Sequence, residues 1–360
     1  MAICKIYSGR LAVGVAEYLR EFPAVYIIAD RNTEKYANAV TGELADNLKG
    51  MYVIDADELH KDMNTILGIC SWLLEKKADR NALLLGIGGG ITTDMTGFAA
   101  SIYKRGIRFA YVPTTFLAQV DAAIGGKTGV NFENYKNILG VIRQPEFTYV
   151  CPEVLETLTY RDFISGAAEL VKTFIIDNTG NNYEKAISLL SEIRRNPDHV
   201  AALSLYHAEL EELISSAAKI KAGVVERDEF EMGERRKLNL GHTFAHAIEW
   251  EAHSCACAHD KESGISHGEA VSMGMIMAAK ASEKYYSADF PDICGLADRL
   301  VNDFKKCGLP VECPYSIESL AEAMKKDKKA ENGIVHFIFI RAIGNVQIED
   351  LSVEQVASWL

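Results

Sequence analysis

The first third of the chain alternates short apolar runs with amphipathic stretches, and this alternation constrains the fold more than any other feature. Four apolar runs predict buried strands, at 25–29, 51–54, 82–87 and 107–112. A further stretch, 58–77, carries apolar residues at helical spacing and predicts a helix. Strands and helices in series indicate a parallel sheet with helices on its faces. We therefore expect this part of the chain to form an α/β domain.

The pattern changes near Pro152, after which helical spacing dominates. The predicted helices lie at 161–176, 199–227, 239–251 and 268–286. A late alternating segment, 334–340, predicts a small hairpin with 343–348 across Gly344-Asn345. We expect two domains, an α/β domain at 1–155 and a mostly α-helical domain at 156–360.

Composition excludes several classes of function. The chain has 360 residues with 38 basic and 50 acidic side chains, a formal net charge of −12. This acidity disfavours nucleic acid as a partner, because such binding requires phosphate neutralisation. No apolar run approaches the roughly 18 residues of a membrane-spanning helix, and the first residues lack the features of an export signal. We expect a cytoplasmic protein without a membrane partner, whose eight dispersed cysteines are reduced.

A run of glycines, Gly86-Ile-Gly-Gly-Gly90, follows a predicted strand and precedes a helical pattern. Such a turn lets the backbone and the N-terminus of a helix approach a pyrophosphate. The spacing differs from the Rossmann form, so a tight turn without a ligand remains an alternative. Asp30 and Asn32, and then Glu58 and Lys61, follow the two preceding strands, where ribose hydroxyls are bound in open sheets. Loop and capping roles explain these four residues equally well.

The segment 105–140 is rich in glycine, cations, hydroxyls and amides, which predicts a pocket for an anionic ligand. Gly-Gly-Lys127-Thr looks like the end of a phosphate-binding P-loop, but position 121 is Asp where that motif requires glycine. We therefore reject a P-loop. For Lys127 and Lys136 taken singly, a surface lysine is the alternative.

Three histidines near helix starts predict a metal site. His242 and His246 lie one helical turn apart, which is a plausible zinc pair. His267 could complete the site with Glu169 or Glu249, although a histidine on such a face is often only a packed core residue. Nearby polar residues would line one cavity with donors and a single acid, namely Lys221, Glu231, Arg235 and Asn239.

The loop with Cys255 and Cys257, flanked by His253 and His259, is a possible second metal site. No second cysteine pair stands at structural-zinc spacing, so we favour a surface insertion with free thiols.

Taken together, these motifs resemble the 3-dehydroquinate synthase family, in order and in approximate spacing, from Glu58 to Asp327-Lys328-Lys329. The motifs that carry the resemblance are Gly88-Gly-Gly-Ile-Thr-Thr-Asp94, Arg105-Gly, Val-Pro-Thr114-Thr115, Gln-Val-Asp121, Gly-Gly-Lys127-Thr, Lys136-Asn137, Ala-Glu169-Leu-Val-Lys172, Leu-Asn239-Leu-Gly-His242-Thr-Phe-Ala-His246 and His267-Gly-Glu-Ala-Val. The resemblance implies an N-terminal NAD-binding α/β domain, a helical C-terminal metal domain and an active site in the cleft between them.

The resemblance also implies roles for individual residues. Glu169, His242 and His267 would hold a divalent metal, usually Zn²⁺ with Co²⁺ as an alternative, so that His246 becomes a phosphate and proton-transfer contact. The positions matched to NAD⁺ are Glu58, Lys61, Gly89, Gly90, Asp94, Thr114, Thr115, Lys136 and Thr157, and we add Asp30, Asn32 and Lys127. The phosphate pocket matches Lys127, Asn137, Asn239, His246 and Lys328 or Lys329, with Arg105 reaching in from the neighbouring subunit of a homodimer.

The remaining matches concern the substrate. Arg235 and Lys221 match contacts to its carboxylate and hydroxyls, and Asp121, Lys172 and Glu231 match the network around the reacting carbons. The implied enzyme is a lyase of the shikimate pathway. Enzyme-bound NAD⁺ would oxidise the C5 hydroxyl of 3-deoxy-D-arabino-heptulosonate 7-phosphate, after which phosphate leaves. Re-reduction, ring opening and an intramolecular aldol would then give 3-dehydroquinate.

Three alternatives remain. Related sugar-phosphate cyclases act on substrates without a carboxylate, against which Arg235, Lys221 and Asn239 argue. Metal-dependent alcohol or glycerol dehydrogenases would not need Arg105, Lys127, Asn137 and Arg235 together. A protein without enzymatic activity would be expected to have lost a metal ligand or a cation, and none is lost.

Overall fold

A computed structural model describes residues 4–44, 47–133, 135–255, 264–286, 293–328 and 334–359, without the side chains of 253–255 and 326–328. Within these ranges no helix is both long and apolar enough to cross a membrane. The Cys257 and His259 positions of the predicted insertion, and Lys329, lie outside the described residues.

The centre of the first half is a six-stranded sheet in which all neighbouring strands run parallel. Its strands are β1 (Lys5–Ser8), β2 (Val25–Asp30), β3 (Leu48–Ile54), β4 (Leu83–Gly88), β5 (Arg108–Pro113) and β8 (Phe147–Val150). They lie side by side in the order β1-β8-β5-β4-β2-β3. Two antiparallel pairs complete the strands, β6 (Lys127–Phe132) with β7 (Tyr135–Ile142) and β9 (Ile334–Ala342) with β10 (Asn345–Ser352). The predicted parallel α/β sheet and the late hairpin are confirmed.

Thirteen α-helices are defined within the described ranges. They are α1 (Leu11–Leu19), α2 (Glu34–Gly42), α3 (Met63–Glu75), α4 (Gly90–Ile102), α5 (Tyr160–Ile176), α6 (Asn182–Arg195), α7 (His199–Leu205), α8 (His207–Arg227), α9 (His242–Cys255), α10 (His267–Tyr286), α11 (Leu296–Cys307), α12 (Ile317–Lys328) and α13 (Val353–Ala357). A π-helical turn, Ala118–Ala122, follows β5. Helices dominate the second half, as predicted.

Two helix boundaries differ from those predicted by periodicity. The helix expected over 58–77 begins only at Met63, because the Asp62 side chain accepts a hydrogen bond from Thr65 N at 2.9 Å and caps it. The helix expected over 199–227 is divided in two, since Tyr206 has a non-helical backbone with φ −102° and ψ 23°. Apolar spacing alone does not reveal such interruptions.

Contacts divide the chain into two compact units, neither of which is one continuous segment. The first contains 1–163 and 203–230, and the second contains 164–202 and 231–360. The segment 203–230 belongs to the first unit because α8 packs against β1 and the π-helical turn. A single division at 155/156, as expected from the change in pattern, does not describe this arrangement.

The core of the first unit lies between the sheet and the helices α3 and α4. Strands β2 and β4 are buried along their whole length, and Ile66, Ile69 and Leu73 of α3 are fully buried. Helix α4 packs on β4, β5 and β6. The ends of β4 and β5 therefore hold the N-terminus of α4 at one edge of the sheet, where the glycine turn lies.

Candidate functional site

A carboxylate and two imidazoles meet inside the second unit. Glu169 on α5, His242 at the start of α9 and His267 at the start of α10 place one ligand atom each within 4.8 Å of the others. Nε2 of His267 lies 3.4 Å, and Nε2 of His242 3.7 Å, from Oε1 of Glu169. This is the set implied by the family resemblance, whereas pairing His242 with His246 on helical spacing alone is not what the structure shows.

Contacts behind the two imidazoles orient their ring nitrogens. Nδ1 of His242 lies 3.2 Å from the carbonyl oxygen of Leu240, and Nδ1 of His267 lies 3.2 Å from Oε1 of Glu249. With Nδ1 occupied in each ring, Nε2 faces Glu169. Hydrogen bonds from the second nitrogen to a carbonyl or carboxylate are typical of metal-binding histidines. Glu249, one of two acids considered as a ligand, therefore orients His267.

Burial and neighbouring charges shift the pKa of all three residues in this cluster. Burial, with the ammonium of Lys172, lowers the pKa of His242 to about 3, so its ring is neutral and able to bind a metal. Burial also disfavours a charge on His267, but its contacts with the carboxylates of Glu169 and Glu249 outweigh this effect and raise its pKa to about 10. Burial opposes ionisation of Glu169 as well, yet Lys172 and the imidazoles hold its pKa well below the usual range.

The cluster fits a divalent metal. Glu169 is fully buried and forms an ion pair with Lys172, but neither of its oxygens receives a well-oriented hydrogen bond from the residues described. Lys172 pairs with Oε2, whereas Oε1 faces the two imidazoles, where a bound metal cation would offset the cost of burying it. Two imidazole nitrogens and one carboxylate oxygen are a common three-residue set for catalytic zinc, with a further position left for water or substrate.

Three other predicted residues of the second unit, Glu231, Arg235 and Asn239, lie on the segment before α9. Nδ2 of Asn239 donates a 2.6 Å hydrogen bond to Oε1 of Glu231, whose backbone is left-handed with φ +60°. Arg235 is buried at 3% exposure. His246, on α9, is exposed, and its ring centroid lies 5.6 Å from that of His242. Lys328 ends α12, and its side chain lies outside the described part of the chain.

In the first unit the glycine run forms the turn from β4 into α4. Gly89 has an extended backbone and directly precedes Gly90, the first residue of α4. A Cβ added to Gly89 would lie 3.0 Å from Cγ2 of Thr115, so glycine keeps the turn open. Thr114 lies next to this turn, because its backbone N–H donates a 2.9 Å hydrogen bond to the carbonyl oxygen of Gly88. An open turn at a helix N-terminus can bind a phosphate group.

The predicted ribose-contacting residues differ in how many of their carboxylate oxygens already accept hydrogen bonds from the protein. Oδ1 of Asp30 accepts hydrogen bonds from the backbone N–H groups of Asn32 and Thr33, and Oδ2 accepts one from Thr92. Asp30 is thus buried in an Asx turn. Glu58 is exposed, and its Oε2 accepts a 2.7 Å hydrogen bond from Asn131.

A cavity of about 380 Å³ brings together three predicted residues, Asp94, Lys127 and Asn137. Lys127 begins β6 and Asn137 lies on β7, while Asp94 is on the second turn of α4. The cavity therefore combines a carboxylate, an ammonium and an amide. Such a set can bind both a sugar hydroxyl and an anion.

Lys61 links two of these groups from behind the cavity. Its Nζ donates to Oδ2 of Asp94 at 2.6 Å and to Oδ1 of Asn137 at 2.5 Å. Asn131, which sequence reasoning missed, also contacts this region, because its Oδ1 accepts the backbone N–H of Asn137 at 2.9 Å. An asparagine within an alternating strand carries no signal that distinguishes it from an ordinary strand residue.

Asp121 and Lys221 are joined although 100 residues separate them. Nζ of Lys221 donates to Oδ1 of Asp121 at 2.7 Å and to its backbone oxygen at 2.8 Å. Asp121 lies on the π-helical turn, an element often found at functional sites. Three further predicted residues of this unit, Arg105, Lys136 and Thr157, are exposed. Arg105 has a left-handed backbone with φ +68°, and Lys136 lies on β7. The hydroxyl of Thr157 lies 2.7 Å from that of Tyr36.

The comparisons with known proteins agree with this arrangement. Residues 51–165 match the family described as 3-dehydroquinate synthase N-terminal, and residues 166–330 match 3-dehydroquinate synthase C-terminal. The chain belongs to the 3-dehydroquinate synthase family. It is 36% identical over 342 residues to the 3-dehydroquinate synthase of Pyrococcus abyssi, covering 94% of this chain and 93% of the relative. It is 35% identical over 329 residues to that of Legionella pneumophila, covering 91% and 83%.

Solved structures similar to this member of the 3-dehydroquinate synthase family show the same fold. The 2-epi-5-epi-valiolone synthase ValA from Streptomyces hygroscopicus, solved with NAD⁺ and Zn²⁺, has a TM-score of 0.80 at 24% identity, covering 99% of this chain and 95% of ValA. A 2-deoxy-scyllo-inosose synthase, solved with carbaglucose-6-phosphate, NAD⁺ and Co²⁺, has a TM-score of 0.78 at 23% identity, covering 99% and 98%.

Proposed function

We propose that this chain converts 3-deoxy-D-arabino-heptulosonate 7-phosphate into 3-dehydroquinate and inorganic phosphate, a carbon–oxygen lyase reaction of the shikimate pathway in aromatic amino-acid biosynthesis. The observation that carries this proposal is the buried Glu169 carboxylate facing two oriented imidazoles within 4.8 Å. It occurs in a chain that matches curated 3-dehydroquinate synthases over most of their length.

The cofactors we propose are NAD⁺ and a divalent cation, with Zn²⁺ the first choice and Co²⁺ an alternative, as in the solved neighbours. Glu169, His242 and His267 would hold the cation, and the glycine turn with Asp94, Thr114 and Thr115 would hold NAD⁺. When bound, NAD⁺ accepts and returns a hydride, and the cation acts as a Lewis acid on substrate oxygens.

In the first unit, the residues around the 380 Å³ cavity would bind and orient the ligands. Lys127 and the Asn137 amide would donate hydrogen bonds to the phosphate of the substrate, and Asp94 would accept one from a ribose hydroxyl. A phosphate held by donors in a fixed geometry can itself accept the proton that must leave the neighbouring carbon. This arrangement reduces the need for a protein base.

In the second unit, the Arg235 guanidinium would bind the substrate carboxylate, since a planar fork of donors matches a carboxylate. Glu231 holds the Asn239 amide at 2.6 Å, so that amide is already oriented when substrate arrives. His246 is exposed beside His242 and would exchange a proton at its imidazole with the phosphate. Lys172 would stabilise negative charge near Glu169, with which it is paired.

Arg105 is exposed on a left-handed turn, and we propose that it serves the active site of a neighbouring subunit in a homodimer. We also propose a cytoplasmic location, because the substrate and NAD⁺ are cytoplasmic metabolites.

One assay tests the function against its alternatives. Purified protein is incubated with catalytic NAD⁺, Zn²⁺ and the heptulosonate phosphate, and phosphate release and 3-dehydroquinate are measured. Carboxylate-free sugar phosphates are assayed in parallel, and Arg235→Ala should weaken turnover of the carboxylate-bearing substrate far more than NAD⁺ binding. Release from carboxylate-free substrates alone, or none with bound metal, would contradict the assignment.

A further inference from the structure

Lys61 is a buried cation whose ammonium contacts two residues that line the cavity. The residue is 4% exposed, and its ammonium forms hydrogen bonds to Asp94 and Asn137. Its backbone oxygen also accepts the N–H of Asn131 on β6 at 2.8 Å. Lys61 is therefore joined to helix α4 and to both strands of the β6–β7 hairpin. The family resemblance implies a different role, a direct contact to NAD⁺.

The contact to Asn137 determines which way that amide faces. An ammonium only donates hydrogen bonds, so the atom of Asn137 next to Nζ must be the carbonyl oxygen Oδ1. The amide nitrogen Nδ2 then lies on the opposite side, and no described residue accepts a hydrogen bond from it. Since Asn137 lines the cavity, its N–H₂ group is available to an anion there. Without Lys61 the amide could turn and present its oxygen, which repels an anion.

The contact between Lys61 and Asp94 likewise determines which carboxylate oxygen faces the cavity. Oδ2 is held by Lys61 at 2.6 Å, and no residue in the described ranges donates to Oδ1. Asp94 also lines the cavity, so Oδ1 is left to accept a hydroxyl. Burial raises the pKa of Asp94, and the charge of Lys61 opposes that rise. A buried carboxylate without this cation would be protonated more readily and would bind a hydroxyl less well.

We propose that Lys61 is a positioning residue that orients two ligand-binding groups at once, Asp94 for the nucleotide and Asn137 for the substrate phosphate. One ammonium between them couples the two subsites. This inference rests on the proposed function and deepens it. Its consequence is that a single substitution, at a residue that contacts neither ligand, weakens the binding of both NAD⁺ and phosphate.

The test is a pair of double-mutant cycles on the NAD⁺-binding, Zn²⁺-loaded protein, with inorganic phosphate and NAD⁺ titrated separately by calorimetry. Lys61→Met should lower affinity for each about tenfold, the loss expected for a charge-assisted hydrogen-bond partner. In an Asn137→Ala background, Lys61→Met should change phosphate affinity less than about twofold, because no amide remains to be oriented. In an Asp94→Ala background, the same should hold for NAD⁺.

A pH profile supplies a readout that a merely structural role would not move. Three charged groups act on Asp94, namely Lys61, Glu58 and Lys221. Removing Lys61 leaves burial and Glu58 to raise the pKa of Asp94, so NAD⁺ affinity of Lys61→Met should fall as pH is lowered from 8 to 5. The wild-type profile should be flatter. Lys76→Met, an exposed lysine at the end of α3, serves as the matched control and should leave both affinities unchanged.

The possible outcomes separate this inference from the proposed function. If Lys61→Met loses its full tenfold in the Asn137→Ala and Asp94→Ala backgrounds, Lys61 contacts the ligands directly and the inference is overturned, while the function stands. If wild-type protein binds neither NAD⁺ nor phosphate, both are overturned. Should Lys61→Met unfold, Lys61→Gln keeps N–H donors without the charge, and its loss of affinity should likewise fall below about twofold for phosphate in the Asn137→Ala background and for NAD⁺ in the Asp94→Ala background. A full loss in those backgrounds would count against positioning.

Discussion

The contact between Glu249 and His267 makes a quantitative prediction about metal affinity. Oε1 of Glu249 lies 3.2 Å from Nδ1 of His267, and the Glu249 side chain is 22% exposed. A charge-assisted hydrogen bond is worth about 1.5–3 kcal/mol, and partial exposure places this one at the lower end. Glu249→Ala should therefore weaken Zn²⁺ binding about tenfold, within the range found for partners of metal-ligating histidines. Glu249→Gln, which keeps the acceptor oxygen, should lose less.

The assay is competition with a chromophoric chelator, which gives the zinc dissociation constant directly. Glu251→Gln, two residues further along α9, is the matched control. Proton release gives a second measurement. Because the pKa of His267 is raised to about 10, its ring is protonated at pH 7.5 in metal-free protein, and zinc must displace about one proton. That protonated ring stabilises the metal-free protein below its unfolded pKa, and the stabilisation is lost as pH rises through about 10.

Calorimetry in buffers of different ionisation enthalpy counts the released protons. Glu249→Ala should release fewer, because its His267 has a lower pKa and is less protonated before zinc binds. Zinc affinity unchanged within about twofold in Glu249→Ala, with the control also unchanged, would refute the idea that this carboxylate orients the ligand.

Two further predictions concern packing and thiols. A Cβ on Gly97 would lie 2.1 Å from the phenol oxygen of a buried tyrosine on β5, so Gly97→Ala should lower the free energy of unfolding by about 1–3 kcal/mol. A Cβ on Gly42 would have nothing within 4 Å, so Gly42→Ala should stabilise α2 slightly. Urea denaturation measures both effects, and equal effects of the two substitutions would contradict this packing. Burial raises the pKa of Cys4 to about 11 and of Cys307 to about 12, while Cys294 is exposed. A thiol reagent at pH 8 should react rapidly with Cys294, and Cys294→Ser should remove one fast-reacting thiol; an undiminished fast phase would be inconsistent with this burial pattern.

Local patterns predicted the central strands β2, β4 and β5 because each is a nearly continuous apolar run, whereas the short edge strand β1 and the polar hairpin of β6 and β7 gave no such signal. A strand that is buried on both faces has few polar positions to interrupt its apolar run, so β2 and β4 can each be predicted from their own residues. The glycine turn could also be predicted, since it follows the buried strand β4 and precedes the helical pattern of α4. Helix starts were less predictable, because the first turn of α3 depends on one side chain, Asp62, capping the backbone.

The metal cluster shows what local pattern cannot supply. Helical spacing places His242 and His246 on one face, but the third group, Glu169, arrives from α5 through packing that no spacing encodes. Only the family resemblance named this set in advance. The role of Glu249 as a partner of His267 likewise depends on two helices meeting. Asn131 gave no signal in the sequence, and the contact of Lys61 with Asn137 is visible only in the fold.

The return of α8 to the first unit has a consequence for synthesis on the ribosome. The 163 residues that begin this unit emerge first, but its last segment, 203–230, follows only after part of the second unit has been made. Until then Asp121 lacks the ammonium of Lys221, and the surface of β1 that α8 covers is exposed to water. The nascent chain therefore carries an incomplete unit for the 67 residues of elongation from 164 to 230, which takes seconds. During that interval we expect its uncovered apolar surface to be open to a chaperone that binds such surfaces.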